Sequence, residues 1–202
     1  MKRDKTTANI LTDMFPHEVA QEGAARDSAG DLLEALGVPG VDPETPGRMA
    51  RALRELVAGY AVTDLAGILK TFPAPADPGV VVVRDLPFAS LCEHHVLPFT
   101  GTVSVAYIPR RTIVGLSKIP RLVRAVTRRL QVQERIGQVV ADTIATAIKP
   151  IGVMVVVRSR HSCMGLRGVE SPGEMVTSCV RGAFKDQPAA RAEALVLIGV
   201  GR

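Results

Sequence analysis

The sequence is poor in aromatic residues and has no long apolar run. Only 3% of its 202 residues are aromatic, with two Tyr and no Trp. The apolar stretches of the sequence, such as Val80 to Val83 and Val153 to Val157, are far too short to span a bilayer. Few aromatic side chains are available for stacking on nucleic-acid bases. These absences argue against a membrane protein and against a protein that binds nucleic acid by base stacking.

Cysteine is also scarce, and its spacing does not indicate a disulfide framework. The three cysteines are an odd number, and the amino terminus carries charges on both sides of its few apolar residues. A secretory leader has a different pattern, with an uninterrupted apolar segment after the basic residues. We therefore expect a cytoplasmic protein with reduced thiols.

The charge balance points to a small anionic ligand. The formal net charge is +5, but no run of five or more basic residues forms an arm. A basic chain with so few aromatic residues fits a phosphorylated small molecule better than a nucleic acid.

The length suits one domain of ordinary size. We expect residues 1–27 to form a flexible arm with a short helix near Ile10 to Met14, and residues 28–202 to form the folded domain. Helical spacing begins after Ser28, and a second helix is expected from Thr45, its N-cap, to Gly59.

The remainder of the chain alternates between strand and helix patterns. Because neighbouring strands follow each other closely, we expect antiparallel pairing and an α+β fold. The predicted strands are Val80 to Arg84, Thr102 to Ile108, Val153 to Arg158 and Met175 to Val180, and the predicted helices are Ser117 to Lys149 with a break near Leu130, and Pro188 to Leu195.

Histidine and cysteine concentrate in two short segments, Cys92-Glu93-His94-His95 and His161-Ser162-Cys163. A C-x-x-H pair brings a thiolate and an imidazole to one ion, and Cys163 is a candidate third ligand for zinc. Three protein ligands leave one coordination position open, as in catalytic zinc sites. His94 and His161 are alternative ligands, but they also stand where a general acid or base is needed.

Simpler interpretations of these residues remain open. Cys92 can be a small buried hydrophobic residue, or a nucleophile with His94 as its base. We expect Cys179, in a predicted strand, to pack in the core, and His17 to be solvated.

A second group of polar residues, Ser117, Lys118 and Arg121, stands at the start of a predicted helix. Backbone N–H groups and the helix dipole favour a phosphate there, and the two cations add charge-assisted hydrogen bonds. The alternative is an ordinary cap with two solvated cations. Arg48 occupies the first turn of another predicted helix, where its charge opposes the helix dipole unless an anion neutralises it.

The segment from Gln131 to Arg135 combines amides with a carboxylate. Such a pair can hydrogen-bond the edge of a guanine, although a helix start rich in Gln and Glu is usually solvated.

These segments together resemble the GTP cyclohydrolase I family, over roughly residues 28 to 198. The resemblance rests on Glu44 to Arg48, Cys92 to His95, Gly115 to Lys118, Gln131 to Arg135, His161 to Cys163, Arg167-Gly168 and Val176 to Ser178. It implies a T-fold that assembles into a toroidal homodecamer with active sites shared between subunits. It also implies a zinc enzyme of pterin biosynthesis, which opens the purine ring of GTP at C8, releases formate and forms 7,8-dihydroneopterin triphosphate.

The resemblance also implies a role for each candidate residue. The zinc ligands would be Cys92, His95 and Cys163, and the catalytic residues His94, His161 and Ser117. The substrate would be held by Lys118, Arg121 and Arg167, by Gln133 and Glu134 at the guanine, and by Arg48 from a neighbouring subunit.

Two other functions fit parts of the sequence. One is a zinc-stabilised module that binds nucleic acid through the basic segment Arg121 to Arg129, although we expect Arg124, Arg128 and Arg129 to form a solvated helix face. The other is a different T-fold enzyme that acts on a pterin or a deazapurine, or an inactive relative.

Overall fold

A computed structural model describes residues 19–199 and divides the chain into two compact units, with the boundary between Glu55 and Leu56. The first unit contains helix α1 (Val19–Ala35) and most of helix α2 (Thr45–Val57). Helix α1 begins before the predicted start at Ser28, because its first half is rich in helix-forming Ala, Gln and Glu but lacks apolar periodicity. The predicted helix at Ile10 to Met14 and the prediction for His17 lie outside the described residues, and the division at residue 28 stays a prediction.

Helix α2 starts at Thr45, as predicted, with Pro46 in its first turn. The charge of Arg48 is neutralised within the first unit. Its guanidinium pairs with Glu44 at 2.6 Å and with Asp42 at 3.7 Å. All three side chains are more than half exposed, so these ion pairs add little to stability.

The second unit contains seven strands and the remaining helices. They are β1 (Thr71–Pro73), β2 (Val81–Cys92), β3 (Pro98–Ile108), β4 (Thr112–Val114), α3 (Lys118–Thr127), β5 (Leu130–Gln131), α4 (Gln133–Ile148), β6 (Gly152–His161), α5 (Ser162–Gly165), β7 (Glu174–Gly182), α6 (Ala183–Asp186) and α7 (Pro188–Ile198), with 3₁₀ turns at Ala58–Ala61 and Ala66–Ile68. Within the described range, no helix is both long and apolar enough to cross a lipid bilayer.

The main sheet has five strands in the order β5-β2-β3-β6-β7, and β1 and β4 form a separate two-stranded sheet. All pairings in the main sheet are antiparallel except the short parallel contact between β2 and β5. The α+β prediction is therefore confirmed, as is the break in the long helical region, where β5 separates α3 from α4.

Helices cover both faces of this sheet. On one face, the predicted alternation of Val103, Val105 and Tyr107 packs against Leu122 of α3 and Ile144 of α4. The other face packs Ala106, Met154 and Val156 against α6 and α7 residues Phe184 and Ile198. Burial of each large apolar side chain contributes about 1.5–3 kcal/mol to folding.

Strands β2 and β6 extend beyond their predicted ends, and both extensions place site residues. Strand β2 continues past Arg84 to Cys92. A bulge at Asp85, whose φ is +57°, interrupts its apolar alternation, so the sequence pattern does not predict this continuation. Strand β6 continues past Arg158 to His161. Because β3 pairs with both strands, the segments after Cys92 and His161 emerge at the same end of the sheet.

The expectation of a solvated face is wrong for Arg129. Its guanidinium is half-buried and donates to the carbonyl oxygens of Gly59, Ala125 and Val62 at 3.1, 3.1 and 2.8 Å. It also lies over the Tyr60 ring, 5.6 Å from the ring centroid. Arg129 therefore fastens the 3₁₀ turn to the end of α3.

Candidate metal centre and active site

The first metal segment forms a tight turn at the end of β2. The Cys92 carbonyl accepts hydrogen bonds from the backbone N–H groups of His95 and Val96, at 3.3 and 2.8 Å, and the Cys92 N–H donates to Leu97 at 2.8 Å. This turn folds the imidazole back onto the strand end. As a result, the Nδ1 atom of His95 lies 3.6 Å from the Sγ atom of Cys92.

The second segment supplies the third side chain. Cys163 lies in the short helix α5, directly after β6. The Sγ atoms of Cys92 and Cys163 and a ring nitrogen of His95 all lie within 4.8 Å of one another. The structure thus brings together the three residues that the sequence predicts as metal ligands.

This donor set fits zinc. Bonds of about 2.3 Å to sulfur and about 2.0–2.1 Å to nitrogen in a tetrahedron separate the two ligand atoms by about 3.6 Å. That separation agrees with the distance between Cys92 and His95. Within the described residues, no fourth His, Cys, Asp or Glu joins the cluster. The described part of the chain therefore offers three ligand atoms, which is the number typical of catalytic zinc.

The surroundings of Cys163 shift the pKa of its thiol in both directions, with the upward shift dominant. Burial raises the pKa of its thiol, and the neighbouring Cys92 raises this pKa further, whereas the charge of Arg167 lowers it. A metal ion bound by Cys163 would favour its thiolate form instead.

His161 and Gln133 form a separate polar cluster. The Nε2 atom of His161 lies 3.0 Å from the Oε1 atom of Gln133. The imidazole stacks on Phe99, its partner in the β3–β6 register, with ring centroids 4.4 Å apart and planes 7° from parallel. Burial lowers the pKa of His161, and the nearby charge of Glu134 raises it.

The two residues predicted to hold guanine lie in different surroundings. Gln133 is only 1% exposed, and its amide bonds to protein groups at both ends. Glu134 is exposed and lines a cavity of about 600 Å³ together with Thr177, Ser178 and Arg181. Glu134 is therefore accessible to a ligand, whereas the Gln133 amide is already engaged.

The anion-binding candidates stand at the start of α3. Ser117 occupies the N-cap position, but its hydroxyl makes no capping hydrogen bond. The preceding turn is fixed by backbone hydrogen bonds from Lys118 to Gly115 and from Gly115 to Lys70, at 2.8 and 2.9 Å. Lys118 is half-buried and Arg121 exposed, and the first turn of α3 contains no acidic residue. The positive charges at this helix start are thus not balanced within their own turn.

Two of the remaining predicted residues, His94 and Arg167, lie beside the candidate metal ligands. The exposed ring of His94 contacts His95 edge to face, with centroids 6.2 Å apart. Arg167 is exposed and lies close enough to Cys163 to lower its pKa. Arg48 lies in the first unit, where it pairs with Asp42 and Glu44.

Three contacts at the site were not predicted. Phe99 stacks on His161, Ser159 donates to Gln133 at 2.5 Å, and Arg135 forms a short ion pair with Glu93 that lowers the pKa of this carboxyl group. Ser159 had a sequence signal, because residues two apart on a strand share a face and His161 follows it by two. Phe99 had none, since its contact depends on strand register.

Comparison with known proteins identifies the family. The model of the family described as GTP cyclohydrolase I matches residues 29–199. A protein named GTP cyclohydrolase 1 from Caldanaerobacter subterraneus subsp. tengcongensis is 43% identical over 180 residues, which cover 85% of this chain and 94% of the relative. A protein of the same name from Rhodopirellula baltica is 45% identical over 190 residues, covering 91% and 81%. Another, from Desulforamulus reducens, is 46% identical over 175 residues, covering 83% and 91%. The chain belongs to the GTP cyclohydrolase I family.

Proposed function

We propose that this chain hydrolyses GTP at a zinc ion held by Cys92, His95 and Cys163, and that its product is 7,8-dihydroneopterin triphosphate. The observation that carries the proposal is the convergence of two sulfurs and one imidazole nitrogen within 4.8 Å, in a chain of the GTP cyclohydrolase I family. Zinc bound there would supply Lewis-acid activation of water for attack on the purine at C8.

His161 is the proposed acid for ring opening. It protonates N7 of the purine as C8 is attacked, and hydrolysis of the resulting formamide releases formate. The stack on Phe99 and the hydrogen bond to Gln133 hold the ring in one place, which supports a proton-transfer role. His94 and Ser117 are proposed to shuttle protons while the ribose opens and rearranges.

The triphosphate is proposed to bind Ser117, Lys118, Arg121 and Arg167. The unused Ser117 hydroxyl and the cations at the start of α3 support this, because the helix terminus favours an anion there. We assign the guanine edge to Glu134, whose exposed carboxylate lines the cavity. The buried amide of Gln133 supports a role behind His161 rather than at the base.

The proposed assembly is the T-fold toroidal homodecamer, with each site completed by Arg48 of a neighbouring subunit. Strand β7 supports pairing with another copy, because it is an edge of the described sheet and Val176 on it is 52% exposed. We place the enzyme in the cytoplasm, in line with its three free cysteines. Neither a membrane nor nucleic acid is a proposed partner.

The shared site can be tested by mixing two inactive variants. Arg48→Ala removes the donated arginine and His95→Ala removes a metal ligand, so mixed assemblies regain some intact sites. Recovery of activity after verified subunit exchange is the expected result. Continued inactivity after exchange would rule out donation between subunits.

The overall reaction is tested by incubating purified zinc-loaded protein with GTP. We expect formate and a product that becomes a fluorescent pterin after oxidation. Protein that holds zinc but yields neither product would contradict the proposed activity.

A further inference from the structure

The side-chain amide of Gln133 can be oriented without ambiguity. Its Nε2 atom lies 3.0 Å from the carbonyl oxygens of both Val157 and Met175, and 3.3 Å from the Thr177 hydroxyl. Backbone carbonyls only accept hydrogen bonds, so the NH₂ end of the amide must face them. The opposite end, Oε1, must therefore face Ser159 and His161.

This orientation determines which ring nitrogen of His161 carries a proton. The Oε1 atom accepts from the Ser159 hydroxyl at 2.5 Å and lies 3.0 Å from Nε2 of His161. An amide oxygen cannot donate, so the ring must donate through Nε2. The stack on Phe99 restrains the ring plane. Because Gln133 is bonded to Nε2, the other ring nitrogen, Nδ1, is not bonded to Gln133.

We propose that Gln133 is a positioning residue that holds neutral His161 as the Nε2–H tautomer, so that His161 exchanges its catalytic proton through Nδ1. This inference rests on the proposed role of His161 as the acid. The protonated ring gives the Nδ1 proton to N7 of the purine and keeps its Nε2 proton on Gln133. The ring that remains is the neutral tautomer that Gln133 stabilises.

The burial of Gln133 separates this role from guanine binding. Gln133 is 1% exposed, both ends of its amide bond to protein, and its partners lie on β6 and β7. Binding guanine through this amide would break bonds that the fold already makes. Loss of Gln133 should therefore slow the chemical step rather than weaken substrate binding.

The tautomer can be measured directly in the zinc-loaded wild-type protein. Solid-state ¹⁵N NMR of protein labelled only in its histidine rings distinguishes protonated from unprotonated ring nitrogens, and the His161→Ala variant identifies the His161 signals. At a pH where His161 is neutral, we expect a proton on Nε2 and none on Nδ1. A proton on Nδ1 would overturn the proposal, and this measurement does not depend on the folding of any Gln133 variant.

The kinetic test uses Gln133→Met, which roughly preserves the length of the side chain but replaces the amide oxygen with a thioether sulfur, a much weaker hydrogen-bond acceptor. We expect kcat to fall about 10- to 100-fold, by analogy with partners that orient histidine ligands. KM for GTP should stay within about twofold, with unchanged zinc content and a mixture of His161 tautomers.

Ser159→Ala is the matched control, because it removes the other donor to Oε1 but leaves the bond to His161. Its loss of kcat should be smaller, and its His161 should keep the Nε2–H tautomer. A raised KM with unchanged kcat in Gln133→Met would instead identify Gln133 as a substrate ligand and overturn the proposal. Full turnover in His161→Ala would refute the acid role itself, whichever tautomer the wild-type ring adopts.

Discussion

Two groups of side chains near the end of the sheet differ in how they are held. The proposed metal ligands are positioned by their backbone segments, and the side chain of His95 is exposed. Gln133, in contrast, is buried and bonds to residues on both β6 and β7. The proposed ion would complete the first group, whereas the hydrogen bonds of the second group are made within the protein. Metal binding and proton transfer should therefore be separable by mutation.

The largest expected effect follows from removing a metal ligand. Cys163→Ser should lose zinc and turnover together, because two remaining ligands bind zinc poorly. Zinc per chain by atomic spectroscopy and formate release from GTP measure the two losses. Cys179→Ser is the matched control, since Cys179 is a buried cysteine outside the metal cluster and should keep its zinc. Equal zinc content in both variants would contradict the ligand assignment.

His161→Ala tests the polar cluster formed by Gln133 and His161. We expect it to retain zinc while kcat for formate release falls about 10²–10⁴-fold, the usual contribution of a general acid. Parallel loss of zinc would show that the two groups are not independent.

The cations at the start of α3 resemble the proposed metal ligands, because each group needs an external ion or ligand to balance its charge. Removing Lys118 with Lys118→Ala should raise KM for GTP about 10- to 150-fold, which corresponds to about 1.5–3 kcal/mol for a charge-assisted hydrogen bond. Steady-state kinetics at fixed ionic strength measure the change. Arg124→Ala, on the exposed side of the same helix, is the control and should have a much smaller effect. Equal KM values for the two variants would remove Lys118 from the phosphate site.

Glu134 should give the smallest effect, because its carboxylate is exposed and partly screened by solvent. We expect Glu134→Ala to raise KM for GTP about tenfold, as for the loss of one charged hydrogen bond. The variant should also discriminate less between GTP and inosine triphosphate, which lacks the 2-amino group. Unchanged discrimination would place guanine recognition elsewhere.

The sequence predicted the parts of this molecule that depend on local pattern. The alternation of Val103, Val105 and Tyr107 gave the buried face of β3, and the C-x-x-H spacing gave the pairing of Cys92 with His95. A turn of this length brings two side chains together regardless of the rest of the fold.

The remaining features depend on long-range structure. The bulge at Asp85 breaks the alternation of β2, so its extension to Cys92 was missed. The stack of Phe99 on His161 follows from the β3–β6 register, which no local pattern encodes. Composition alone predicts a solvated Gln133 at a helix start, and the family resemblance predicts a guanine ligand. The packing of α4 against β6 and β7, which no local pattern encodes, buries this residue instead.

X-ray absorption at the zinc edge of the purified enzyme tests the central claim most directly. The account predicts one zinc per chain with two sulfur ligands at about 2.3 Å and lighter ligands at about 2.0–2.1 Å. A zinc ion with no sulfur ligands, or with a number of sulfurs unchanged by Cys163→Ser, would contradict it.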